Sequence, residues 1–343
     1  MKRLRVLGVF HEGEVPPETE SELEGQDEFG PIYASFDLVQ TLRQLGNEVR
    51  CIGIFDELAP IRLQIEEFKP HIVLNQILEF HGAALFDAHV VSYLELLKQP
   101  YTGCNPRGLL LAGDKSLAKK ILHYHRVRTP AFMLVQRGRK VREPRNLEYP
   151  LFVKSTVEHA SLGISQSSIV KDFKSLCERV TFIHDSINSD AVVEEYIPGR
   201  ELTIGVLGNQ RLTTFPVWEM FFDDLPQGTE PIATSQVKWN RAYQKKIGLR
   251  TARAEGLEPD LEAAMARTAK RVYRSLGMSG FARVDFRLAK DGRVFVLEAN
   301  PNPDLTLGED FAESAAASGL EYDALLQKIL GLGLRYRPGW AIR

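Results

Sequence analysis

The chain has 343 residues, 44% hydrophobic and 26% charged, which is the balance of an ordinary globular protein. That length exceeds one hydrophobic core and calls for two or three domains. A net charge of −2 gives no electrostatic reason to expect a nucleic-acid partner. Cys51, Cys104 and Cys177 are far apart, with no CxxC or Cys/His ligand spacing, and read as reduced, buried and inert.

The opening MKRLRVLGVFHEGE starts basic and apolar, but its apolar run is short and breaks into acids, so it reads as a first strand. Nothing in the sequence suggests secretion or a membrane span, which leaves the cytoplasm as the expected location. LRVLGVF (4–10) and NEVRCIGIF (47–55) are strand-like, and IYASFDLVQTLRQLG between them has helical spacing with Gly46 as its stop. HIVLNQI (71–77) adds a strand and ALFDAHVVSYLELLKQ (84–99) a helix, so the first hundred residues read as a parallel α/β layer. Residues 11–30 hold many acids and no Lys or Arg, with two prolines and three glycines. They read as a solvated loop or as a lid, since open α/β sheets bind ligands beyond the carboxyl ends of their strands.

A second domain is expected to begin near GDKSLAKKIL, whose lysines 115, 119 and 120 fit the exposed basic face of a helix. TPAFMLV (129–135), PLFVKST and ISQSSIV read as strands, and KDFKSLCERVTFIHDSI (171–187) as a helix. DAVVEEYIPGRELTIGVLG reads as two strands around a Pro198-Gly199 break. From Glu219 to Glu258 the pattern lapses into a polar, basic stretch, a length that is usually functional or disordered. DLEAAMARTAKRVYRSLGM (260–278) restores an amphipathic helix and YDALLQKILGLGL (322–334) supplies another. The expected division is 1–112, 113–193 and 194–343.

Four features bear on chemistry. Lys154 stands at a strand end before VEHASLG, where backbone N–H groups and a point charge could meet phosphate, although no Walker A pattern is present. Glu194, Glu195 and Glu201 surround a strand break whose free backbone groups could bond a base edge while a carboxylate holds ribose hydroxyls. Lys115 is the third. The fourth is DFRLAKDGRVFVLEAN, in which Asp291-Gly292 signals a two-residue type I′ hairpin pairing Lys290 with Arg293, Phe286 with Leu297 and Asp285 with Glu298. Opposed carboxylates destabilise a sheet unless a cation lies between them. Arg283 and Arg287 could neutralise this face, or Asp285, Glu298 and Asn300 could hold a hard cation such as Mg²⁺. The residues leave both readings open.

The order GDKSLAKKIL, PLFVKSTVEHASLGI, VVEEYIPGRELTIGVLG, GFARVDFRLAKDGRVFVLEANPNP and SGLEYDALLQKIL resembles an ATP-grasp enzyme of the D-alanine–D-alanine ligase branch, from about Thr102 to Leu330. The resemblance implies an ATP-grasp fold, α/β in its N-terminal part and α+β beyond, with ATP and two Mg²⁺ ions as cofactors. It implies that Lys115 and Lys154 contact the ATP phosphates and that His159 to Gly163, with Ser161 in a catalytic position, close over them. Glu194, Glu195 and Ile197 would hold adenine, and Glu201 the ribose. Asp285, Glu298 and Asn300 would bind the metals, Lys238 would reach the γ-phosphate, and Arg283 would stabilise the oxyanion. The partners implied are a small carboxylate and an amine, and a homodimer.

Several positions depart from that pattern. Asp304 stands where the branch has glycine and Glu309 near its acceptor-binding serine; Ala160 and Trp239 replace a serine and a tyrosine. An anion there would repel an acceptor carboxylate, so the expectation is a carboxylate-amine ligase whose substrates differ from D-alanine plus D-alanine. The alternatives are a D-alanine–D-alanine ligase proper, an ATP-grasp kinase, and a non-catalytic nucleotide-binding protein. A dinucleotide oxidoreductase is disfavoured because the first strand is not followed by GxGxxG.

Overall fold

A computed structural model of the chain describes residues 3–27, 30–157 and 162–339. Three sheets follow one another along the sequence. The first is parallel, with β1 (Arg5–His11) between β2 (Glu48–Ile54) and β3 (Ile72–Asn75), and carries α1 (Pro31–Gln44), α2 (Ala59–Phe68) and α3 (Asp87–Leu96). Val6 to Phe10 are all buried, as a central parallel strand covered on both faces requires. The 11–30 segment contains two short 3₁₀ turns and buries Leu23 completely, so its described part is packed rather than simply solvated.

Two helices, α4 (Pro106–Gly113) and α5 (Lys115–Tyr124), lead to the second sheet. Asp114 caps α5, its carboxylate accepting from the Leu117 N–H at 2.9 Å. The second sheet is antiparallel, with β4 (Phe132–Val135), β5 (Leu151–Ser155), β6 (Ile169–Val170) and β7 (Ala191–Glu195) in the order β4-β7-β5-β6, covered by α6 (Phe173–Ser186). It runs through Glu195, two residues beyond the expected seam.

The third sheet is also antiparallel. It comprises β8 (Gly199–Leu207), β9 (Thr213–Thr214), β10 (Trp218–Phe222), β11 (Leu249–Arg253), β12 (Phe281–Ala289) and β13 (Val294–Asn300), with main order β11-β10-β8-β12-β13 and β9 beside β8. The stretch expected to lack pattern holds β10, α7 (Ser235–Trp239), α8 (Arg241–Lys246) and β11. These pieces are five or six residues long, too short to establish a period. Then come α9 (Pro259–Ser275), α10 (Asp310–Ala316) and α11 (Tyr322–Arg335).

The β12–β13 hairpin corrects the expected register in two places. Ala289 pairs with Arg293 across a three-residue loop ending in Gly292 at φ 82, not across a two-residue turn. Phe286 then faces Val296 rather than Leu297, and a bulge between Asp285 and Phe286 takes up the odd residue. The two shifts cancel. Asp285 faces Glu298 as expected.

One buried apolar cluster joins Leu7 and Val9 of β1, Val90 of α3 and Leu109 of α4 to Ile204, Val284 and Phe286 of the third sheet. A second packs Val6, Phe10, Leu38 and Leu42 against Leu326 and Leu330 of α11, which closes the other face of the first sheet. No helix among the described residues is long and apolar enough to cross a membrane. All three cysteines are free; Cys104 is buried, whereas Cys51 and Cys177 are only partly covered.

Candidate active site

Register on the third sheet builds one side of the site. Arg287 on β12 faces Glu201 on β8, while Arg283 and Asp285 face Asn300 and Glu298 on β13. Arg283 grips Asp285 with two bonds, Nε to Oδ1 at 2.7 Å and Nη2 to Oδ2 at 2.9 Å. Burial works against charge on Arg283, but Asp285 outweighs it and raises the guanidinium pKa. The Asp285 pKa is raised by burial, which Arg283 opposes and Glu298 reinforces. Arg287 is buried; it donates to the Glu201 carboxylate at 2.8 Å and to the carbonyls of Gly199 and Pro231 at 3.1 and 3.0 Å. Burial raises the Glu201 pKa, Arg287 opposes the shift, and Asp285 and Glu298 add to it.

Helix α5 and the second sheet supply the cations opposite. Lys115 approaches Glu298 at 3.8 Å, and its N–H donates to the Thr156 carbonyl at 2.8 Å, which ties α5 to the end of β5. Lys154 on β5 lies 2.9 Å from Glu194 Oε1, and Lys119, one helical turn beyond Lys115, lies 2.7 Å from Oε2. Burial works against charge on Lys154, but Glu194 and Glu298 outweigh it and its pKa rises. Burial lowers the Lys119 pKa, with Glu194 opposing. Glu194 is itself fully buried, yet the two lysines outweigh that burial and hold its pKa down. The basic face read as exposed is therefore turned inward at Lys115 and Lys119, because two carboxylates lie there to receive them.

The remaining expected residues are placed as follows. Glu194 directs its carboxylate at two lysines, so it backs the cationic side rather than standing open to a base. Glu195 pairs with Leu151 at the edge of β7, its N–H donating to the Ala131 carbonyl, and Ile197 follows half-buried in the break. Gly163 turns at φ 73 and offers its carbonyl to Arg179. Lys238, at the end of α7, has its ammonium 5.4 Å from the Trp239 ring; burial and then Arg283 lower its pKa, against Asp304 and Glu309. His159, Ser161 and Ala160 lie outside the described residues.

Sequence reading took Lys119 for an exposed lysine and offered Arg287 only as a neutraliser of the hairpin acids, without its partner Glu201 on β8. Each carried a signal: Lys119 repeats Lys115 at i+4, and Arg287 repeats Asp285 at i+2, the helix and strand periods for a shared face.

Among the described residues no three His, Cys, Asp or Glu side chains converge into a closed metal cage. The donors present are two facing carboxylates and an amide oxygen, Asp285, Glu298 and Asn300. That hard-oxygen set fits Mg²⁺, which takes one or two protein carboxylates and completes its shell with water and phosphate.

Residues 118–331 match the family described as D-ala D-ala ligase C-terminus. The chain belongs to that family. A D-alanine–D-alanine ligase of Syntrophotalea carbinolica is 32% identical over 299 residues, covering 86% of this chain and 89% of that protein. One from Pelotomaculum thermopropionicum is 28% identical over 284 residues, 79% and 83% of the two chains. An uncharacterized protein, y4sG of Sinorhizobium fredii, is 32% identical over 247 residues, 72% and 70%. In fold, the D-alanine–D-alanine ligase of Bacillus anthracis complexed with ATP superposes with TM-score 0.72 at 24% identity, over 97% of this chain and 98% of that one. The chain is thus an ATP-grasp ligase that forms carbon–nitrogen bonds at the expense of ATP.

Proposed function

We propose that this ligase joins D-alanine to D-alanine. The observation that carries the reading is the match to the Syntrophotalea D-alanine–D-alanine ligase along nearly the whole of both chains. It supports the alternative entertained from the sequence over the expectation of a different substrate pair. Chemically, a carboxylate is a poor electrophile, so phosphoryl transfer from ATP to a carboxylate oxygen makes an acyl phosphate and ADP. The acceptor amine then attacks the carbonyl carbon, phosphate leaves, and the ammonium loses a proton.

Both steps gather negative charge on oxygen, and preorganised cations stabilise it. In this reading Lys115 and Lys154 hold the phosphates, Lys238 approaches the transferred group, and Arg283 faces the oxyanion. The Glu195–Ile197 backbone holds adenine and Glu201 the ribose, while the 159–163 loop with His159, Ser161 and Gly163 excludes water. Asp285, Glu298 and Asn300 would hold Mg²⁺, which supplies Lewis-acid stabilisation when bound. Glu298→Gln should lower turnover by at least about 100-fold, the scale of losing several kcal/mol of charge stabilisation; full activity would remove the metal assignment.

One observation favours a second reading, a ligase with another acceptor. The pKa of Glu309 is raised by burial and by Asp304 and Asp310, which marks a concentration of acid where an acceptor carboxylate would lie. ADP release measured over a panel of amino acids and small carboxylates, with hydroxylamine as a generic acceptor, separates the readings. Hydroxamate from D-alanine together with D-alanyl-D-alanine as product upholds the proposal. Hydroxamate from D-alanine without D-alanyl-D-alanine as product selects the second reading, and ADP release without any hydroxamate points to a kinase.

A further inference from the structure

The side chains of Lys119, Glu194 and Lys154 form a buried row in which one carboxylate separates two ammonium groups, at 2.7 and 2.9 Å. Their exposures are 2%, 2% and 6%. Three elements deliver them: α5 carries Lys119, β7 carries Glu194 and β5 carries Lys154. The Phe132 and Phe152 rings lie 5.7 and 5.8 Å from the two ammonium nitrogens, a low-polarity surround in which charges are poorly screened. Such a row is costly to desolvate and gains nothing over an apolar core unless its charge has a use.

We infer that Lys119 is a positioning residue for nucleotide binding: by occupying one oxygen of Glu194, it leaves Lys154 with positive charge to offer a phosphate. With Lys154 and Glu194 alone, the buried pair would be neutral, and an approaching phosphate would meet the carboxylate as well as the ammonium. Adding Lys119 leaves the row one positive charge in excess. It also takes up the second carboxylate oxygen, so Glu194 stays behind Lys154 instead of turning toward the ligand. Lys119 is almost wholly buried and meets Glu194 through the oxygen that Lys154 leaves, so in this inference it acts through Lys154.

The inference rests on the reading of Lys154 as a phosphate-facing lysine, so its test includes that residue. Equilibrium binding of a non-hydrolysable ATP analogue with Mg²⁺, and of adenosine, is measured for the wild type, Lys119→Met, Lys154→Met, Glu194→Gln and the double variant K119M/E194Q. Lys119→Met should weaken the analogue at least about tenfold, the scale of one poorly screened charge, and leave adenosine binding unchanged. The double variant restores one net positive charge at Lys154, so its affinity should return to within about threefold of wild type. A merely structural lysine predicts the opposite, a further loss in the double variant together with loss of adenosine. That result overturns the inference, as does wild-type analogue affinity in K119M. Wild-type affinity in K154M overturns the reading of Lys154 itself and the inference with it. Where K119M alone does not fold, the double variant, which buries no unpaired carboxylate, decides on its own.

Discussion

At the scale of single residues, the site is a set of charges whose partners determine what each can do. Asp87, away from this site, shows the converse. It is buried at the start of α3, and burial, opposed by the Ala88 N–H, raises its pKa from 3.8 to about 7. Between those values the folded chain holds a proton that the unfolded chain has released. Stability is therefore greatest at the acid end of that window and falls as pH rises through about 7, by about 4 kcal/mol at most. Asp87→Asn should flatten this slope, so urea midpoints of variant and parent should differ most at pH 8 and draw together as pH falls to about 3.8, the unfolded value; parallel profiles would contradict the assignment. The sequence made Asp285, Glu298 and Glu201 legible because each sits in a recognisable ordered motif. It did not disclose the partners of Lys119 and Arg287, since a lysine on an amphipathic helix looks solvated and an arginine on a hairpin has several acids in reach until Glu194 and Glu201 are placed in three dimensions.

At the scale of elements, the hairpin reading reached the right acid pair although both the loop and the following pairs differ. Asp-Gly signals a tight turn but does not count its residues, and Gly292 in the left-handed region serves a three-residue loop equally well. The odd residue, Leu297, gave no sequence signal because Phe295, Val296 and Leu297 form one apolar run in which no single residue is marked as extra. Helix α11 offers a sharper test. A Cβ on Gly333 would lie 2.2 Å from the Tyr101 carbonyl oxygen and 2.7 Å from Ile72 Cδ1, so the helix backbone rests directly on the strand edge of the first sheet. Gly333→Ala should cost about 1–3 kcal/mol despite its better helix propensity, because a backbone carbonyl cannot give way as a side chain can. Denaturant melts check it, and a stabilised variant would show that the helix can lift at no cost.

At the scale of the whole molecule, strand patterning and helical spacing disclosed the parallel layer and most of the later strands, but not β9, β10 or β11, and gave antiparallel pairing only at the β12–β13 hairpin. What they did not disclose is how the layers share a core. The cluster running from Leu7 and Val9 through α3 and α4 to Val284 and Phe286 crosses from the first sheet to the third. Unfolding one layer would expose the other, so calorimetry of the ligand-free protein should give a single transition; two resolved transitions would show that the layers hold themselves separately. The same wholeness bears on synthesis. The face of the first sheet formed by Val6 and Phe10 is covered by Leu326 and Leu330, more than 300 residues later in translation. At a ribosomal pace of about 5–20 residues per second, that apolar face waits tens of seconds for its cover. During that interval the nascent chain presents a half-finished sheet to whatever holds apolar surfaces in the cell, until the helix bearing Leu326 and Leu330 emerges to complete it.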